Sequence, residues 1–535
     1  MKTILSSRIR HYWAVISIFL IMVALIAGIA GCNGDGNVES YTLTISGTSG
    51  GSVTEPEQAT STHDEGTVVN LVAEPEEGYT FVKWTGEVDT VADVNDATTT
   101  ITMSDDYHIA ANFAPVGSFT AVSDWHDLDA IREDLNGDYL LMNDLDSTTA
   151  GYDELAGPAA NQGKGWDPIG TYDEPFMGTL DGQGYEVRDM VINRPARNYT
   201  GLFGAVGVDV AAGGVISTKG VVENLGVVNA AVTGDWNVGG VAGLKADTGA
   251  VTSCYFTGEV TGKDNVGGLM GFNYGNLSDS YATAIVSGDR HVGGLVGFSD
   301  GTVSNCYATA SVTGNSCVGG LIGSVPVYSY LGKVSDCYST GTVIGDLYVG
   351  GLVGLSDGTV SNCYATGSVT GGVENAGGLV GLNRGTVTNS YSTGSVTGYV
   401  DVGSLVGAST GSVLNSYSTG SVTGKAYVGG LVGTNDGDVS NCYSTGSVTG
   451  DHDVGGLVAR NYQTVTNSFW DTQTSGQSAS DGGTGKATAE MKSTATFSTE
   501  AWNIIAVASP STRNVSYIWN IVDGQTYPFL SWQSV

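Results

Sequence analysis

Side chains able to do acid–base or nucleophilic work are few and scattered in this chain. There are six histidines (His11, His63, His108, His126, His291 and His452) and seven cysteines in 535 residues. No two histidines stand four apart with a glutamate between them, so the H-E-x-x-H spacing that sets two zinc ligands and a base on one helix face is missing. The cysteines form no C-x-x-C pair and have no histidine at metal-ligand spacing. No cofactor, no metal and no catalytic residue is expected.

Five cysteines (Cys254, Cys306, Cys337, Cys363 and Cys442) fall at one position of an internal repeat, where other copies place Ser280, Ser390, Ser416 and Ser468. A position that accepts Cys or Ser asks for a small side chain, so packing is expected there. Adjacent coils of a stacked repeat lie about 4.8 Å apart, which leaves oxidation of Cys306 with Cys337, or Cys337 with Cys363, within reach. Carboxylates such as Asp300, Asp357 and Asp436 sit in Ser-Asp-Gly and Asn-Asp-Gly, which is turn chemistry. Asp134-x-Asn136-x-Asp138 begins like a calcium loop, but Tyr139 and Leu145 stand where Gly and Glu are required. It reads as an Asn-Gly turn feeding a strand over Tyr139–Met142.

One cysteine has a chemistry of its own. Lys2, Arg8 and Arg10 precede an apolar run from Trp13 to Ala30, followed by Ile29-Ala30-Gly31-Cys32. That tetrad resembles the lipobox of bacterial lipoproteins. The resemblance implies that 1–31 is a signal peptide, cleaved before Cys32, and that Cys32 is lipidated; a retained membrane helix is the other reading of the run. Two or more acyl chains hold a protein stably at a membrane. Asn33 after the cysteine implies, by analogy with enteric bacteria, an outer-membrane destination. Loss of 1–31 removes three positive charges and moves the net charge from −34 to −37. So acidic a chain repels nucleic acid.

The elements that must carry any function are β throughout. Residues 32–40 are a polar, Gly-rich tether. Alternation then marks strands at Tyr41–Ile45, Gly50–Thr54, Val68–Ala73 and Thr98–Met103, read as an antiparallel module with one buried face. Glu65-Gly66-Thr67, Pro75-x-x-Gly78-Tyr79-x-Phe81-x-x-Trp84-Thr85-Gly86 and Ala111-Asn112-Phe113 resemble the internalin B-type repeat of bacterial surface proteins, over 41–114. In that family such modules serve as stalks or surface interaction units. Tyr79, Phe81 and Trp84 are expected in the core, since a module this small needs large side chains to bury enough area. Thirteen acidic residues against Lys83 alone leave weak, unspecific cation binding open.

Trp125, Leu128, Ile131 and Leu135 predict a short amphipathic helix that covers an open first coil within a capping region at 115–198. Nine copies of Val-Gly-Gly or a close variant then begin at Val238, Val266, Val292, Val318, Val349, Ala376, Val402, Val428 and Val454. Each is followed by Asn-Cys/Ser-Tyr and by Thr-Gly-Ser-Val-Thr-Gly or a near equivalent. This resembles the GLUG motif; Trp166-Asp-Pro-Ile-Gly170 and Phe469-Trp470-Asp471 are similar to the flanks of such proteins. Stacked in register, the copies predict an elongated parallel β-solenoid over 199–470, about 43 Å long, with a C-terminal cap at 471–535. Leu295, Val296, Val303 and Val312 and their equivalents should line the interior. The Asn ladder (Asn305, Asn362, Asn389, Asn415, Asn441) should bond neighbouring backbone at a bend, and the Tyr after it should form an outward row. The Gly pairs should permit positive φ and close approach, and Val325–Lys333 should bulge as a loop.

Between copies, only the turn before each Val-Gly-Gly varies freely. Its residues Trp236, Asn237, Arg290, His291, Tyr348, Tyr427 and His452 are the candidate binding positions, in a line with a spacing of about 5 Å. The expected function is a non-catalytic, lipid-anchored surface protein, a monomer, that adheres to an extracellular protein or polysaccharide. A passive envelope stalk is the second reading and a carbohydrate-active β-helix enzyme the third. GLUG repeats also accompany IgA-specific metallopeptidases, but the zinc motif is missing here.

Overall fold

The computed structural model describes residues 40–533 apart from 77, 95, 116, 118, 209–219 and 327–331. The expectations for the signal segment and Cys32 lie outside the described residues. The chain divides into two compact units, Met1–Val116 and Gly117–Val535.

In the first unit, seven strands form two sheets. Thr60–Asp64, Ser40–Gly47, Tyr107–Pro115 and Tyr79–Gly86 make one, and Gly51–Glu55, Val68–Pro75 and Thr98–Thr102 the other. The alternation read from the sequence puts Leu43, Ile45, Leu71 and Ile101 inside. Trp84 is 1 % exposed, donates its indole N–H to the Asp96 carbonyl at 3.1 Å and meets Phe81 at 5.7 Å. Trp84 is core, as a small module requires, while Tyr79 and Phe81 are half-buried and pack against it. One pairing departs from the antiparallel expectation: Leu43 faces Tyr107 in a parallel register. The chain visits the second sheet between these strands and returns in its original direction.

The second unit is a succession of short strands stacked coil on coil. One coil runs through Val296–Ser299, then Thr302–Ser304, then Tyr307–Ala308, Ser311–Thr313 and Ser316–Gly319. Each strand bonds the equivalent strand of the next coil in parallel: Val296 faces Ile322, Val303 faces Val334, Val312 faces Val343 and Val318 faces Val349. One face of the stack begins as early as Thr120–Val122, so irregular coils precede the repeats. Leu295, Val296, Val303 and Val312 are fully buried, each side chain contributing roughly 1.5–3 kcal/mol. The helix Trp125–Ala130, capped by the Asp124 side chain, buries Trp125 and Leu128 against the same core. On either side of residues 327–331 the register is kept, Val325 facing Ser356 and Lys333 facing Thr359.

The Cys/Ser position is a buried corner with one job. Cys363 and Ser390 each donate to the carbonyl two residues back, at 3.1 and 2.8 Å, and the Ser390 oxygen accepts the Cys363 amide at 3.1 Å. Either side chain can donate, which explains the exchange. The six described cysteines are free thiols.

Two expectations are corrected. The Asn of the external ladder bonds a neighbour's side chain, not its backbone: Asn305 to Asp279 at 3.3 Å, Asn362 to Asp336 at 3.0 Å. It stands there because its backbone is left-handed, with φ of 47–53° from Asn305 to Asn441, a conformation Asn tolerates best among residues with a side chain. Conversely, the glycines of Val-Gly-Gly have no positive φ. They serve close approach alone: a Cβ on Gly294 would lie 2.1 Å from the Gly320 carbonyl oxygen.

The Tyr row turns outward. From Tyr255 to Tyr443, neighbouring rings stack at 4.7–5.1 Å and within 9° of parallel. The C-terminal segment does more than close the last coil. Its strands Ile504–Ala506, Trp519–Ile521 and Phe529–Leu530 fold back over the Tyr row, burying Tyr417 and Tyr443. Trp532 donates to the Asn389 carbonyl at 3.0 Å and Gln533 to the Tyr417 hydroxyl at 2.6 Å.

An interior polar row was not foreseen. Asn273, Asn383 and Asn435 are fully buried and bond Ser299, Ser409 and Asn461 of the next coil at 2.8–3.0 Å. At its head, facing Asn273, lies Lys245, wholly buried. Its ammonium reaches two backbone carbonyls at 3.1 and 3.3 Å, and burial pulls its pKa down to about 8.

Ser390→Ala removes a donor and strands the Cys363 amide, so it should cost about 1–3 kcal/mol, whereas Cys363→Ser should stay within about 0.5 kcal/mol; urea midpoints compare them. Below pH 8, Lys245 is charged both folded and unfolded, and the fold bears the whole cost of burying it. Between the folded value of about 8 and the ordinary 10.5, the folded state sheds its proton first, and the cost fades as pH rises. Lys245→Met should therefore stabilise by on the order of 2 kcal/mol near neutrality, a gain that shrinks towards the upper value; paired urea titrations across pH read it.

Candidate functional site

The turn before each Val-Gly-Gly is positioned by strand register. Trp236, Asp264, Arg290, Ser316, Leu347, Glu374, Val400, Ala426 and His452 face one another from coil to coil. The residue after each is left-handed, φ 50–57°, at Asn237, Asn265, His291, Cys317, Tyr348, Asn375, Asp401, Tyr427 and Asp453. The line read from the sequence is thus two parallel rows, one extended and one left-handed. The second row is less free than its variety suggests, since Asn and Asp fill five of its nine places and those residues accept the conformation most cheaply.

Exposure divides the candidates. Trp236 (49 % exposed), Arg290 and His452 project into solvent, His291, Tyr348 and Tyr427 are half-buried, and Asn237 is buried, its side-chain oxygen accepting from Asn265 at 2.7 Å. His291 and His452 are kept apart by the coils between them. Two local clusters stand out. At the C-terminal end, the Arg460 guanidinium lies 4.8 Å over the Tyr427 ring, a cation–π contact, in a cleft of about 500 Å³ that also takes in Asp453, Ser480 and Asp481. Nearer the start, Asp264 accepts from His291 Nδ1 at 2.9 Å and pairs with Arg290.

The electrostatics of that second cluster are self-consistent. Burial would raise the Asp264 carboxyl, but His291 and then Arg290 hold it below the usual carboxylate range. Burial also opposes charge on His291, yet its hydrogen bonds to Asp264 and Cys317 lift it to about 9. Asp264 and Cys317 belong to the turns before Val266 and Val318, and their placement beside His291 depends on register across three copies. Among the described residues, no three His, Cys, Asp or Glu side chains converge as metal ligands.

With this geometry in hand, the model of the GLUG motif matches 288–313, 314–344, 345–370, 372–397 and 424–449. These five repeats are GLUG motifs. The divergent InlB B-repeat domain matches 41–117, the first unit of the fold, so the GLUG array follows a B-repeat module. The chain is 36 % identical over 139 residues to Halomucin of Haloquadratum walsbyi, a match spanning 25 % of this chain and 1 % of that one. It is 36 % identical over 127 residues to the "Putative Gly-rich membrane protein" of Evansella cellulosilytica, covering 23 % and 12 %. The GLUG-bearing chain thus spans a small part of either relative. A solved structure titled "putative immunoglobulin A1 protease" from Bacteroides ovatus aligns with 78 % of this chain and 93 % of its own, at 17 % identity and a TM-score of 0.30.

Proposed function

We propose that this is a non-catalytic cell-surface protein, held at a membrane through lipid on Cys32, that binds an extracellular protein or polysaccharide through the turn rows of its GLUG array. One observation carries the reading. The repeated residues are spent on the core, the corner and the close approach of coils, while residues that differ from copy to copy are set in register along one edge. Repeat arrays bind extended partners through such edges. Trp236 and the Arg460–Tyr427 cleft offer the aromatic and cationic side chains that dominate binding energies. Similarity to a protein named for a membrane, and to Halomucin, supports a place at the cell surface. A passive spacer is the second reading, favoured by the burial of Asn237, Cys317 and Asn375 in the very row that would bind.

Replacing Trp236, Tyr348 and Tyr427 together by Ala should reduce adhesion of the folded protein to cells or to a glycan array at least ~10-fold, since anchors of this kind are worth about 2 kcal/mol or more each. Unchanged adhesion would remove the turn rows from consideration, and no adhesion by the unaltered protein would leave the spacer. Separately, Cys32→Ser should move the protein from the membrane fraction to the soluble one; retention in the membrane would refute the lipid anchor.

A further inference from the structure

Cys317 is the one cysteine of the repeat array outside the corner column. Register sets Asp264, Arg290 and Ser316 opposite one another on successive coils, so His291 and Cys317, one residue further on, are neighbours in the left-handed row. Their φ values are 50° and 54°, and equal backbone at equal register directs both side chains the same way. The His291 ring bonds the Asp264 carboxylate at 2.9 Å, and register sets the Cys317 thiol beside it on the next coil. Arg290 fixes Asp264 a second time, and Phe298 meets the imidazole edge-on at 5.3 Å. Ser316 Oγ lies 3.7 Å from the sulfur. Carboxylate, imidazole and thiol thus stand in the order of a nucleophile with its proton carrier and that carrier's orienting group.

We propose that Cys317, held by His291 and Asp264, is a reactive thiol that exchanges with small-molecule disulfides and carries the resulting mixed disulfide on the turn edge of the array. In that step the Cys317 sulfur bonds one sulfur of the disulfide, the disulfide bond breaks, and the leaving sulfur departs with the electron pair. The leaving sulfur departs as a thiolate and the proton lost from Cys317 passes to solvent, while the protonated His291 imidazole keeps its charge beside the reacting sulfur. The left-handed row holds no second cysteine, so the product is a mixed disulfide and not an internal one. The corner cysteines do not compete. They are at most 1 % exposed, and burial holds the thiols of Cys254 and Cys442 up at about 12, which keeps them in the unreactive protonated form. Cys317 keeps 6 % of its surface exposed at the turn edge, against at most 1 % for the corner cysteines. This site goes beyond the binding reading and does not depend on it.

The full-length protein, in a Cys32→Ser background, is treated with 5,5′-dithiobis(2-nitrobenzoate) at neutral pH and mapped by peptide mass. One fast equivalent is expected on Cys317, absent in Cys317→Ser, with the corner cysteines reacting only in urea. His291→Gly suits the backbone at φ 50°; it should slow the fast phase at least ~10-fold, and added imidazole should restore part of the rate. A variant that had simply unfolded would betray itself by releasing the corner thiols as well. No fast equivalent in the parent protein, or an unchanged rate in His291→Gly, overturns the proposal.

Discussion

Everything in the second unit follows from the requirement that successive coils approach to strand-pairing distance along their whole circuit. At the Val-Gly-Gly turn that approach crowds out a side chain in all copies but one: a Cβ on Gly294 or Gly351 would sit about 2 Å from the carbonyl oxygen of the next coil. Only Ser404 stands at this position, its hydroxyl donating to the Gly420 carbonyl at 2.9 Å. Glycine is therefore demanded by sterics between coils and not by the local dihedral angles. Because each coil sees only its neighbours, the same demand recurs from copy to copy, in eight of the nine. The inward valines, the corner Cys/Ser and the interior Asn/Ser row all ride on the register this approach fixes.

The direction of the chain is turned by other residues. Two rows of left-handed positions, one at the Asn before the corner and one before Val-Gly-Gly, bend each coil with side chains in place. Asn and Asp bear that conformation at low cost. Where His, Cys or Tyr occupies it instead, some strain of order 1 kcal/mol is accepted, and such strain is commonest where a side chain has another use. His291 and Cys317 of the cluster around Asp264, and Tyr427 of the cleft, all stand at these positions.

The fold was legible because repetition did most of the work. Period, inward valines, the N-terminal helix with Trp125 and Leu128, and the core role of Trp84 all follow from spacing and residue type. Of the two roles expected of the Gly doublets, close approach holds and positive φ does not, because a Gly doublet in sequence looks the same in either role. Lys245 escaped notice because a lone lysine in a strand is ordinarily solvated, and only register places it at the head of a buried polar row. The candidate site was half visible. The line of variable turns could be drawn from the copies, but which members project, and which meet across coils, depends on a left-handed kink that residue types announce only where Asn or Asp is present.

The C-terminal segment, folded back on the Tyr row, gives the array a mechanical character that a plain stack would lack. Its last described residues bond Asn389 and Tyr417, coils removed from the end of the stack. Tension applied at that terminus is therefore delivered to the flank of the array, in shear across several stacked rings, and does not peel the final coil away from the one beneath it.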